Sequence, residues 1–190
     1  MKIEMGESLI YSWLRHEKLC QLVQTNWKVS PFWELENRQE IEDLFVICRN
    51  YFLEKHSLDI SKGCSLEQFL KQAEIDGIGI AYSTEAPYIY AVDVAYHEGG
   101  LNYGGKDETI TKIAQKCIRT ALCLYGYFCM STGEVLFVSP KITPAIETAL
   151  VPLFDEISKL LHDNGLNIKA ILHTESTPIH KMVLYHRVHN

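Results

Sequence analysis

The chain has 190 residues, 47% of them hydrophobic and 22% charged, with a formal net charge of −6. That is one domain's length with enough apolar sequence to bury a core, and the negative balance excludes a broad basic surface that grips nucleic acid non-specifically, though not a local basic groove. No apolar run reaches the ~18 residues of a membrane helix.

The N-terminus, MKIEMGESLIYSW, lacks a charged, then apolar, then small-residue signal pattern, so a cytoplasmic protein with no membrane partner is expected. The six Cys contain no C-x-x-C pair and read as free thiols in a reducing compartment. Among the eight His there is no H-E-x-x-H or H-x-x-x-H spacing, and His180, His186 and His189 near the C-terminus read as surface residues.

Residues 4–19 predict a helix, with Ile10, Trp13 and Leu14 on its apolar face and Glu7 at the edge of that face. Residues 20–27 alternate enough for a strand, and a Pro-containing, aromatic loop follows to residue 36. A long helix over 37–56 carries Ile41, Leu44, Phe45, Cys48, Tyr51 and Phe52 on one stripe. Ser65 with Gln68 matches a capping box that opens a short helix to Gln72. Residues 74–82 and 88–96 read as two strands of an antiparallel hairpin, the second rich in Tyr, Val and Ile. The stretch GGLNYGGKDE, residues 99–108, reads as a mobile or ligand-approaching loop rather than a nucleotide-binding glycine motif.

Asp107 is placed to cap a helix over 108–128. Its apolar face is marked by Ile110, Ile113, Cys117, Ala121 and Leu124. Lys112, Lys116 and Arg119 follow at three- and four-residue steps, and read either as a solvated face or as a row facing nucleic-acid phosphates. A strand over 134–139, a helix from Thr143-Pro144 to about residue 164, closed by Gly165, and a strand over 167–173 complete the order. The whole predicts an α/β fold, a mixed central sheet flanked by helices, in one domain spanning 1–190.

Each hairpin strand carries an Asp, a residue that strands disfavour: Asp76 and Asp93. A carboxylate in the middle of a sheet is costly unless paired, hydrogen-bonded or bound to metal. Two on neighbouring strands repel, and a hard divalent cation removes the conflict. The alternatives are that Asp76 caps a turn and that Asp93 pairs with a Lys or Arg elsewhere. Alternation puts Asp93, Ala95 and His97 on one face.

With these elements assigned, residues 4–140 resemble the PD-(D/E)XK nuclease superfamily, whose core runs helix, three-stranded meander, helix, strand. The helices between 37 and 72 are then an insertion into a restriction-endonuclease-like core. The resemblance matches the family's second-strand acid to Asp76 in EID, its acid-x-Lys to Asp93-Val94-Ala95, and a first-helix Glu to Glu7. It implies that Glu7, Asp76 and Asp93, with Glu98 as an added ligand, hold one or two Mg²⁺ or Mn²⁺ ions. Such ions polarise the scissile phosphate and activate water. The family's Lys falls on Ala95; the substitutes considered are Lys112, on the following helix, and His97. DNA is then the expected substrate, with RNA as the alternative, and Lys112, Lys116 and Arg119 as its phosphate contacts. The competing expectation is a nuclease-like module without catalysis that binds another protein or a second copy of itself, with Trp33 and Tyr103 as exposed aromatics. A third makes the glycine-rich loop part of a small-ligand pocket.

Overall fold

The computed structural model describes residues 3–83, 86–96 and 100–174. Its elements run α1 (Ile3–His16), β1 (Leu22–Lys28), α2 (Arg38–His56), α3 (Leu66–Lys71), β2 (Glu74–Ala81), β3 (Tyr88–Val94), α4 (Lys106–Phe128), β4 (Thr132–Val138), α5 (Pro144–Asp163) and β5 (Asn167–His173). The strands form one five-stranded sheet in chain order. β1, β2 and β3 make an antiparallel meander, and β4 and β5 add parallel to β3 and to each other. Parallel neighbours need a crossover, which α4 and α5 supply. The fold is α/β with a mixed sheet flanked by helices. No described helix is long and apolar enough to cross a membrane.

The two faces of the sheet are covered differently. On one, Ile10, Trp13 and Leu14 of α1 meet Val92 and Leu136. On the other, α4 and α5 pack on Ile78, Ile89, Val135 and Phe137 in the main core. The apolar residues of α2 and α3, among them Ile41, Phe45 and Phe69, join this core from the outer side of α4. α4 is therefore enclosed between the sheet and the α2–α3 layer, and its middle is buried almost all round.

That enclosure corrects the reading of Lys112, Lys116 and Arg119 as one solvated row: Arg119 is only 8% exposed. The helix start also differs. Gly105, not Asp107, precedes the first helical residue, and no side chain caps it; Asp107 sits in the first turn, where its charge still suits the helix dipole. α1 stops at His16, and Leu19 takes a left-handed backbone conformation that ends any helix there. The capping box of Ser65 and Gln68 forms as expected. Leu101 is buried and Lys112 bonds the Tyr103 carbonyl, so the glycine-rich loop is anchored through Leu101 and Tyr103 rather than free. Of the six Cys, four are buried, Cys64 is half-buried and Cys129 is exposed, all as free thiols.

Close approach explains one glycine fully. Gly133 of β4 pairs with Ile89 of β3, and a Cβ there would strike the Ile89 carbonyl oxygen as well as its Cγ2 at 2.7 Å. Backbone cannot rotate away as a side chain can. Gly133→Ala should therefore lower the unfolding free energy by about 3 kcal/mol, the upper end of ordinary overpacking; urea denaturation would read this as a lower midpoint at unchanged slope.

Candidate active site

Gly77 of β2 lies opposite Val92 of β3, so the next antiparallel step sets Asp76 across from Asp93. Residues opposite one another share a face of the sheet, and the two carboxylates therefore face the same layer. Asp76 is half-buried and its Oδ2 accepts the Val94 backbone N–H at 2.6 Å. Asp93 is 3% exposed. Its Oδ1 accepts from Lys116 Nζ at 3.2 Å, and Thr120 Oγ1 donates to Oδ2 at 3.5 Å. Lys116 and Thr120 are four residues apart on α4, so both polar heads fall over one spot on the sheet.

The electrostatics follow from burial. Loss of water pushes the Asp93 carboxyl up to about 6; the Lys116 ammonium opposes that rise, and the Asp76 charge adds to it. Asp76 is also raised, first by burial, with the Val94 N–H and Lys116 opposing and the charges of Glu7 and Glu74 adding. Burial alone would lower Lys116, but the facing Asp93 carboxylate together with Tyr103 and Asp76 outweighs it and leaves the ammonium harder to deprotonate than usual. Glu7, on α1, thus acts on Asp76 through its field.

The structure brings together some of the expected residues and separates others. Asp76, Asp93 and Lys116 converge. Lys112 does not join them: its Nζ binds the Tyr103 carbonyl at 3.0 Å and Glu108 at 3.0 Å. Arg119 turns the other way, to the Gln72 carbonyl at 3.3 Å and Oε1 at 3.1 Å. His97 and Glu98 lie outside the described residues, as do His180, His186 and His189. Trp33 is 49% exposed, as an interaction surface would need. Tyr103 is half-buried and packs on the core instead. Sequence reasoning put Lys116 on a phosphate-facing row and missed its contact with Asp93. The signal was the Lys116–Thr120 pair, polar at helical spacing within an apolar run.

Beside the acid pair is a cavity of about 340 Å³, lined among others by Lys62, Gln72, Tyr103, Lys112, Lys116 and Arg119. Among the described residues, no carboxylate lines it.

Among the described residues there is no cluster of three or more Asp, Glu, His or Cys of the kind that encloses a metal. Mg²⁺ does not need one. It keeps several waters and binds through one or two carboxylates plus substrate phosphate. Asp76 and Asp93 are two facing carboxylates of that kind and are the residues that would hold the ion, with Asp93 exchanging its Lys116 contact for the cation.

No family model matches this chain, and neither a curated protein nor a solved structure matches it.

Proposed function

We propose that the protein is a metal-dependent nuclease that hydrolyses phosphodiester bonds in DNA, built on a restriction-endonuclease-like core. The observation that carries the reading is the Lys116 ammonium 3.2 Å from Asp93, which itself faces Asp76. That supplies, from the neighbouring helix, the cation that Ala95 cannot provide on the strand. The order helix, meander, helix, strand supports the reading as well.

A Mg²⁺ or Mn²⁺ ion held by Asp76 and Asp93 would contribute electrostatic stabilisation of the phosphoryl oxygens. The chain's own groups divide the rest. Asp93 and Asp76, once ionised, orient water for attack on phosphorus. The bond from phosphorus to the departing sugar oxygen breaks, leaving a phosphate monoester and a hydroxyl. Lys116, its side chain 36% exposed on the cavity side, donates a hydrogen bond to a non-bridging oxygen as negative charge grows there. Lys112, on the same helix and at the edge of the cavity, holds a flanking phosphate. Activity should rise with pH through about 6, as Asp93 loses its proton.

The test is calorimetric titration of Mg²⁺ and Mn²⁺ into wild type and Asp93→Asn, beside cleavage assays on single- and double-stranded DNA and on RNA. Binding and cleavage that both vanish in the variant are expected. Wild-type metal binding and cleavage that Asp93→Asn leaves unchanged would sink the proposal. Two observations favour a second reading, an interaction module without catalysis. Lys116 already neutralises Asp93, and Phe32 and Trp33 stand 91% and 49% exposed. A stoichiometric protein complex with no metal bound would select it.

A further inference from the structure

The cavity beside the acid pair has a buried cation that ion pairing among the described residues does not account for. Arg119 is 8% exposed, and a guanidinium so deeply buried ordinarily meets a carboxylate. Arg119 has none among the described residues. Its two terminal nitrogens reach only the neutral carbonyl and amide oxygens of Gln72, its plane lies over Phe69 at 4.7 Å, and Nε is buried without a hydrogen-bond partner. A guanidinium has five N–H donors; two acceptors leave it short.

The rest of the lining deepens the excess. Lys112 and Lys116 are answered by Glu108 and Asp93, neither of which lines the cavity. Lys62, at the exposed rim, has no ion pair among the described residues. The space, about 340 Å³, falls at the small end of ligand pockets.

We infer that this cavity takes a phosphate monoester, the phosphorylated end of a polynucleotide, with Arg119 as its buried anchor. A monoester offers three terminal oxygens and close to two negative charges, where an internal diester has one charge and two substituents that must both leave through the mouth. Arg119 presents so little surface, 8% of its area, that a chain end reaches it more readily than an internal phosphate carrying two substituents. Three residues of helix separate Arg119 from Lys116, about 4.5 Å along the axis, so an end phosphate would sit beside the acid pair rather than on it. The identity of the polymer rests on the nuclease reading above; the anion site does not.

The experiment is a fluorescence titration of dye-labelled single-stranded DNA oligonucleotides ending in a 5′-phosphate, a 3′-phosphate or hydroxyls only. EDTA is present, so that only binding is read. One of the phosphorylated ends should bind about tenfold tighter than the hydroxyl ends, the scale of charge-assisted hydrogen bonds. Arg119→Gln should abolish the preference. Lys62→Ala, which removes an exposed side chain and leaves the fold intact, should weaken it several-fold. Equal affinity of wild type for all ends overturns the inference. Deoxyadenosine monophosphate or inorganic phosphate binding as tightly as the phosphorylated oligonucleotide overturns the polynucleotide as the source. A wild type that prefers phosphorylated ends but never cuts, with Mg²⁺ restored, keeps this site and removes the nuclease; cutting without end preference does the reverse.

Discussion

Replacing Lys116 by Met should destabilise the protein by about 2–3 kcal/mol at pH 8 and by far less at pH 5; the ceiling is the cost of protonating at pH 8 a carboxyl that sits at about 6 in the wild type, about 1.4 kcal/mol for each pH unit. The asymmetry comes from Asp93. Its carboxyl sits at about 6 even with the ammonium 3.2 Å away. Without that ammonium its pKa rises further. At pH 8 the variant must either bury an uncompensated carboxylate or take up a proton against the bulk pH, and both oppose folding. At pH 5 Asp93 is already largely protonated in the wild type, so the lost pair matters little. Lys112→Met is the matched control. Its ion pair with Glu108 is an exposed, four-residue helical pair, for which about 0.3–0.5 kcal/mol is usual, and its hydrogen bond to the Tyr103 carbonyl adds about 1 kcal/mol; neither contact involves Asp93, so no pH dependence from Asp93 should follow. Urea denaturation of the two variants at both pH values decides the matter. Equal losses at pH 5 and pH 8 in Lys116→Met would mean that the side chain acts by packing its methylenes and not by facing Asp93.

Much of this arrangement was legible because it is local. The last strand, Asn167–His173, follows directly from its alternation and the Gly165 stop before it. The Ser65–Gln68 box forms because both of its bonds lie within one turn. The two aspartates stood out as residues in the wrong kind of element, and the hairpin's own register sets them opposite one another. Of the structural alternatives, the pairing of Asp93 with a Lys is present; Asp76, instead of capping a turn, accepts the Val94 N–H from the neighbouring strand, and these two contacts are how the fold tolerates two carboxylates there.

What sequence could not convey is what packs on α4 from outside. A helix with three cations on one side reads as solvated on that side. Here α3 lies against it, carrying Phe69 and ending beside Gln72, so Arg119 is covered while Lys116 is not. Nothing in the local pattern distinguishes those two positions; a contact between residues 72 and 119 does. The same holds for the choice between Lys112 and Lys116. They lie one turn apart, and only the crossing of α4 over β3 decides which ammonium meets Asp93.

Asp93→Asn should make the protein more stable while abolishing the metal binding proposed for it. In the native state the carboxyl titrates near 6; in the unfolded chain it titrates near the ordinary Asp value of about 3.9. Between these two values the native state holds the proton and the unfolded state does not. Stability therefore falls as pH rises through that window, and the deficit is complete above it. Two pKa units correspond to about 3 kcal/mol, so a gain of about 1–3 kcal/mol at pH 8 is expected from an uncharged isostere, vanishing near pH 4. Asn keeps an oxygen for Thr120, and Lys116, partly exposed, can turn its head to water. A carboxylate kept only for structure gives the opposite result, because its removal would break a useful ion pair and lower the melting temperature. The paired measurement is thermal unfolding against pH beside Mg²⁺ titration on the same two proteins. A variant that melts higher at pH 8, has lost the slope between pH 4 and 6, and no longer binds the ion would show that the fold carries Asp93 at a cost to its own stability, as expected of a group retained for chemistry. A variant that melts lower at pH 8 would make the Asp93–Lys116 pair a structural fastener and leave the sheet without an active site.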